Sequence, residues 1–153
     1  MTGLNKSHLL EHLIIQTLKH MGERYNIASA QNLVLGTALV ESSLRHLVQL
    51  NGPARGLWEM EPATFYDNCT WLRNNETLRK SVFSLAVDGF EMVDQLPGNL
   101  YFACAMCRVH YFRRNEPLPT HDDLNGMASY WKRYYNTKIG KGSIEDYVRA
   151  WTQ

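Results

Sequence analysis

Glu41 is the residue of this chain whose surroundings make its chemistry unusual. It closes a stretch containing Leu33, Val34, Leu35, Ala38, Leu39 and Val40, apolar nearly all round, as in a helix buried on every side. Helical spacing puts Glu41 on one face with Val34, Thr37 and Ala38. Ionising a carboxyl there is costly unless it finds partners, and desolvation lifts its pKa above the ordinary value of about 4.3. A carboxyl that keeps its proton near neutral pH is a general acid, able to protonate a leaving oxygen. The alternative is an acid at a helix end that reaches solvent or pairs with Arg45, four positions on.

Glu41-Ser42 is followed, after a loop, by Gly56-Leu57-Trp58-Glu59-Met60-Glu61-Pro62-Ala63-Thr64, and much later by Tyr135-Asn136-Thr137 with Gly140 and Gly142. This order resembles the signature of soluble lytic transglycosylases and goose-type lysozymes: a Glu-Ser pair, Gly-Leu-Met-Gln, a Pro-x-Thr opening the next helix, and a Tyr-Asn-Ala-Gly segment. The chain departs from that pattern in having Trp58 for Met and Glu59 for Gln, and in lacking the Ala-Gly after Asn136. Glu61 stands where goose-type lysozymes carry an acidic residue.

The resemblance implies a lysozyme-like helical domain that cleaves the glycan strands of peptidoglycan at the MurNAc-GlcNAc β-1,4 bond, with Glu41 as the acid and no cofactor. Glycoside cleavage needs a proton for the leaving oxygen and stabilisation of an oxocarbenium-like centre. In a hydrolase a second carboxylate, Glu61 first and Glu59 next, activates water. In a lytic transglycosylase one Glu serves as acid and then base while the sugar's 6-hydroxyl attacks. By the family pattern Tyr135 orients Glu41 through a hydrogen bond; the alternative is a core aromatic in the cluster Tyr130, Trp131, Tyr134, Tyr135. Trp58, Tyr130 and Tyr134 are candidates for stacking on sugar rings, or core aromatics. Ser42, Gly56, Glu59 and Asn136 complete the expected substrate contacts.

Two other patterns have metal-ligand spacing. His8-Leu9-Leu10-Glu11-His12 matches a zinc-peptidase string, yet its polar residues fall opposite Leu10, Ile14 and Met21, as on a solvated helix face. Cys104, Cys107 and His110 lie three apart on an apolar run, where buried structural thiols are the better account. No phosphate-binding loop, dinucleotide motif or Gly-x-Ser-x-Gly elbow is present.

The elements that must position these residues read as helices almost throughout. Apolar residues from Leu9 to Met21 recur at three- and four-residue spacing, with Gly22 as a stop. Ser29 is a candidate cap for a helix from Ala30 to about His46. Asn51-Gly52-Pro53 breaks the chain, and the segment to Glu61 reads as a loop or a small β-hairpin near residues 48–58. Pro62 suits the first turn of a helix through Leu72. Helices are expected over Thr77–Gln95, over Leu100 to about Arg114, and from Asp122 or Asp123 to Tyr135. Ser143 with Asp146 reads as a capping box for the last one. The fold class is all-α, built around the buried helix that ends in Glu41.

The bulk properties set limits. At 153 residues the chain makes one ordinary domain, and 44% hydrophobic with 20% charged residues is the composition of a globular protein. A net charge of +1 without a basic stripe excludes a dedicated nucleic-acid binder. No apolar run reaches the roughly 18 residues of a membrane span, and the N-terminus lacks the pattern of a signal peptide. Three cysteines argue against a secreted disulfide framework. These features suit a monomer made in the cytoplasm that acts on the cell wall, as a bacteriophage lysis or virion enzyme would. Two further functions stay open: an inactive lysozyme-like structural or glycan-binding protein, and a zinc peptidase using His8 and His12.

Overall fold

The computed structural model describes residues 2–137 and 140–153. These form an all-α fold with no sheet among the described residues. The first helical rod is α1 (Lys6–Leu9), a π-helical turn (Leu10–Ile14) and α2 (Ile15–Met21), and Gly22 ends it. Buried Leu9 and Ile14 are five apart, a spacing that the wider π turn brings onto one face. Then come α3 (Ala28–Ser42), α4 (Pro62–Leu72), α5 (Glu76–Phe83), α6 (Leu100–Phe112), α7 (Leu124–Trp131) and α8 (Ile144–Thr152).

The hub is α6, which touches α2, α3, α4, α5 and both π turns of the chain. Its residues Phe102 to Tyr111 are all buried, as an apolar run without a polar stripe requires. Asn99 caps it by accepting from the Phe102 N–H. The apolar helix α3 lies beside α6 and is covered by α7 and α8. Gly36 of α3 lets α8 approach: an added Cβ would sit 1.9 Å from the Tyr147 hydroxyl.

Several boundaries differ from the sequence expectation. Helix α3 begins at Ala28, with Ile27 rather than Ser29 at the N-cap position and no side-chain cap. It ends at Ser42, not near His46, because Ser43 and Leu44 turn left-handed, with φ of 53° and 57°. Ser42 holds that exit by donating to Ala38 O at 3.0 Å and accepting from Leu44 N at 3.2 Å.

The helix expected over 77–95 stops at Phe83. The Gln95 side chain ties down the irregular stretch that follows, accepting from Val87 N and donating to Val87 O and Phe90 O. The expected hairpin is reduced to two isolated antiparallel bridges, Val48 with Arg55 and Arg55 with Met60.

Helix α7, capped by Asp123, gives way after Trp131 to a second π turn, Lys132–Asn136. The capping box of Ser143 and Asp146 opens α8, and Pro62 opens α4. Among the described residues no helix is long and apolar enough to cross a membrane.

Candidate active site

A cleft of about 940 Å³ opens where α3 ends. Its walls are Leu39, Val40 and Glu41 of α3, the 49–54 loop, and Glu59 to Glu61 ahead of α4. The π turn after α7 and the exposed side of α8 complete it. This size suits a small-molecule or oligomer site.

Glu41 sits in the last turn of α3 and faces the cleft. Its Oε1 accepts a hydrogen bond from the Trp131 indole Nε1 at 2.9 Å. Burial pushes its carboxyl up to about 7 from an ordinary 4.5; the Trp131 N–H works the other way, and the charge of Glu59 adds to the rise. At neutral pH a large fraction of Glu41 therefore holds its proton.

Glu59 reaches the same cleft from a tight turn. Arg55 and Met60 exchange both backbone hydrogen bonds at 3.0 Å, and Glu59 N donates to Gly56 O at 3.0 Å. Gly56 has φ of 85°, and a Cβ there would lie 2.6 Å from the Leu96 carbonyl oxygen, so glycine is required. Glu59 itself is left-handed at φ 43°, a conformation that costs a non-glycine residue about 1 kcal/mol or more. What holds the turn is Trp58: its ring is 1% exposed, its Nε1 donates to Val34 O of α3 at 2.9 Å, and its carbonyl accepts from the Tyr135 hydroxyl at 2.6 Å. Half-buried, Glu59 is also pushed up to about 7. Two carboxyls with raised pKa thus share one cleft, and each can hold a proton near neutral pH.

The other expected contacts divide sharply. Glu61 lies at the rim, exposed, at the N-cap position of α4 without a side-chain capping bond. Trp58 does not line the cleft but anchors its wall from behind. Tyr130 is core, 4% exposed, with its hydroxyl donating to Glu116 O. Tyr134 packs on Tyr130 and donates to the Glu116 carboxylate, away from the cleft. Ser42 is buried and committed to the helix exit, and Gly56 serves the turn. Trp58, Tyr130, Tyr134, Ser42 and Gly56 are positioned by core packing or backbone demands, and none of them lines the cleft.

Tyr135 and Asn136 both line the cleft. The π turn explains how: at about 4.4 residues per turn, positions four and five after Trp131 both come round to its side. Yet Tyr135 does not orient Glu41, because its hydroxyl proton goes to Trp58 O. The donor to Glu41 is Trp131, which the sequence places only in the core cluster. The available signal was its position one helical turn before Tyr135, at the end of an apolar helix. Asn136 accepts from Lys132 Nζ at 2.7 Å, and the same Nζ reaches Gly140 O at 2.9 Å. Lys138 and Ile139, between the halves of the Tyr135–Gly142 segment, lie outside the described residues.

His110 is a second cleft residue that the sequence did not single out for this site. Its Nε2 donates to Tyr134 O at 2.7 Å, and burial holds it down to about 4, so the ring is neutral at working pH. Cys104 and Cys107 are buried free thiols; burial raises Cys104 to about 12 and Cys107 well above its ordinary value. His8, Glu11 and His12 are exposed on the first rod, the two imidazoles in edge contact at 5.8 Å. Among the described residues no cluster of three or more His, Cys, Asp or Glu is placed to hold a metal ion.

No known family profile, curated protein or solved structure matches this chain, so its functional reading rests on the cleft and on the residues that shape it.

Proposed function

We propose that this protein is a peptidoglycan glycosidase, a lysozyme or lytic transglycosylase, with Glu41 as its general acid. The observation that carries the reading is a single one: a carboxyl pushed up to about 7 by burial, yet lining an open cleft. Such a group can hand its proton to the glycosidic oxygen as the C1–O bond breaks and the ring gains oxocarbenium character.

Glu59, rather than Glu61, is the second carboxylate in this scheme. It is held in the same cleft, close enough for its charge to act on Glu41, whereas Glu61 is solvated at the rim. Once ionised, Glu59 takes a proton from the attacking water, whose oxygen bonds to C1. That favours hydrolysis over the route in which the muramyl 6-hydroxyl attacks C1 and returns its proton to Glu41. The substrate is the glycan strand of the bacterial wall, reached as a phage lysis or virion component reaches it.

The test uses purified cell walls. Glu41→Gln should abolish clearing while leaving the circular dichroism spectrum unchanged; equal clearing by both proteins removes Glu41 from the acid role. Mass spectrometry of the released muropeptides then separates reducing ends (hydrolysis) from 1,6-anhydro ends (transglycosylation).

A further inference from the structure

Trp131 is held more firmly than a core tryptophan needs to be. It is 1% exposed. Its face is covered by the Tyr147 ring of α8, with centroids 5.6 Å apart. At its edge lies Gly142, where a Cβ would come within 2.7 Å of Cη2. Tyr147 in turn fits only because Gly36 has no side chain. The clamped ring aims one polar atom, Nε1, at Glu41 Oε1.

An indole N–H can only donate. Oε1 must therefore meet it with a lone pair, and in the neutral acid the carbonyl oxygen offers the stronger one, which favours the hydroxyl at Oε2. Glu41 Oε2 has no hydrogen-bond partner among the described residues.

We propose that Trp131 is the positioning residue of Glu41: by occupying Oε1 it assigns the transferable proton to Oε2, the oxygen left free for substrate. The catalytic half of this statement rests on the glycosidase reading; the placement of the proton does not. The titratable groups facing Glu41 are Glu59 from the turn before α4, Cys107 from α6 and Tyr135 from the π turn. The thiol and the phenol are raised by burial and stay neutral. Across the cleft Asp146 and Arg149 of α8 pair with each other at 3.0 Å. Trp131 is thus the donor whose loss Glu41 would register.

The experiment is an NMR titration of the ¹³C-labelled Glu41 carboxyl in wild type, in Trp131→Phe, and with benzothienylalanine at position 131. That isostere keeps the bicyclic ring and replaces N–H by sulfur, so it tests the hydrogen bond even if the phenylalanine variant packs poorly. A donor to a carboxylate favours the ionised form, so both replacements should raise the Glu41 pKa, by about one pH unit. On cell walls kcat should fall about 10- to 100-fold with KM little changed, and the alkaline limb should move up with the titration. An unshifted Glu41 titration in the isostere overturns the proposal, whatever happens to clearing. A shifted titration in a protein that cleaves no glycan supports Trp131 as the donor that positions Glu41 and sinks the glycosidase reading instead.

Discussion

Replacing Glu41 by glutamine should stabilise the protein, and by an amount that grows with pH. The carboxyl is held at about 7 in the folded chain against an ordinary 4.5 when unfolded. Below pH 4.5 both states keep the proton and burial carries no ionic cost. Above pH 7 both have lost it, and the folded state carries a desolvated carboxylate. The gap corresponds to about 3 kcal/mol, accumulated between those two limits. Glutamine offers Trp131 the same acceptor oxygen but never ionises, so that cost disappears. In urea, with a slope of about 2 kcal/mol/M, the variant's midpoint should match wild type near pH 4.5 and exceed it by about 1.5 M at pH 8. Tryptophan fluorescence across a urea series at several pH values reads this directly. A midpoint difference that is the same at every pH would refute the claim that burial raises Glu41.

Three other outcomes follow from the geometry. Glu59→Gln should slow wall lysis by about 100-fold, whereas Glu61→Gln should keep most of the activity; turbidity clearing by the two variants, if reversed, moves the base to the rim. Tyr147→Phe should raise stability by about 1–2 kcal/mol, because the buried hydroxyl has no hydrogen-bond partner among the described residues, while Gly36→Ala should lower it by about 1–3 kcal/mol by driving α8 off α3; thermal melts compare the two. Gly56→Ala should strain the turn at φ 85° and press on the Leu96 carbonyl, letting the Glu59 pKa fall back from about 7 towards its ordinary 4.5. An unchanged Glu59 titration would mean that this turn is not what buries it.

Much of the fold was legible because local signals do not depend on partners. Pro62 and the Ser143–Asp146 capping box start helices where they stand. The apolar run of α3 announced a buried helix with an acid at its end. What could not be read depended on residues far away in sequence. The helix over 77–95 breaks because Gln95 bonds backwards to Val87 and Phe90, an arrangement with no periodic trace. The aromatic candidates stayed open between cleft and core for a similar reason. Trp58 and Tyr130 have the residue type for stacking on sugars, but which side of a wall they occupy is settled by Val34, Glu116 and α6. Between Glu59 and Glu61 the difference is one left-handed residue, and propensity gives no hint of φ 43° at a glutamate.

The widened turn at Lys132–Asn136 also says what kind of change this wall can absorb. Swapping one side chain for another there alters a single surface. Removing one residue would let the coil relax to an ordinary α turn, with Tyr135 and Asn136 then three and four positions after Trp131 and still on its side. Adding one instead would turn both by up to about 100° away from Trp131 and pull the stretch leading to α8 out of step. This part of the chain can therefore lose a residue more readily than it can gain one.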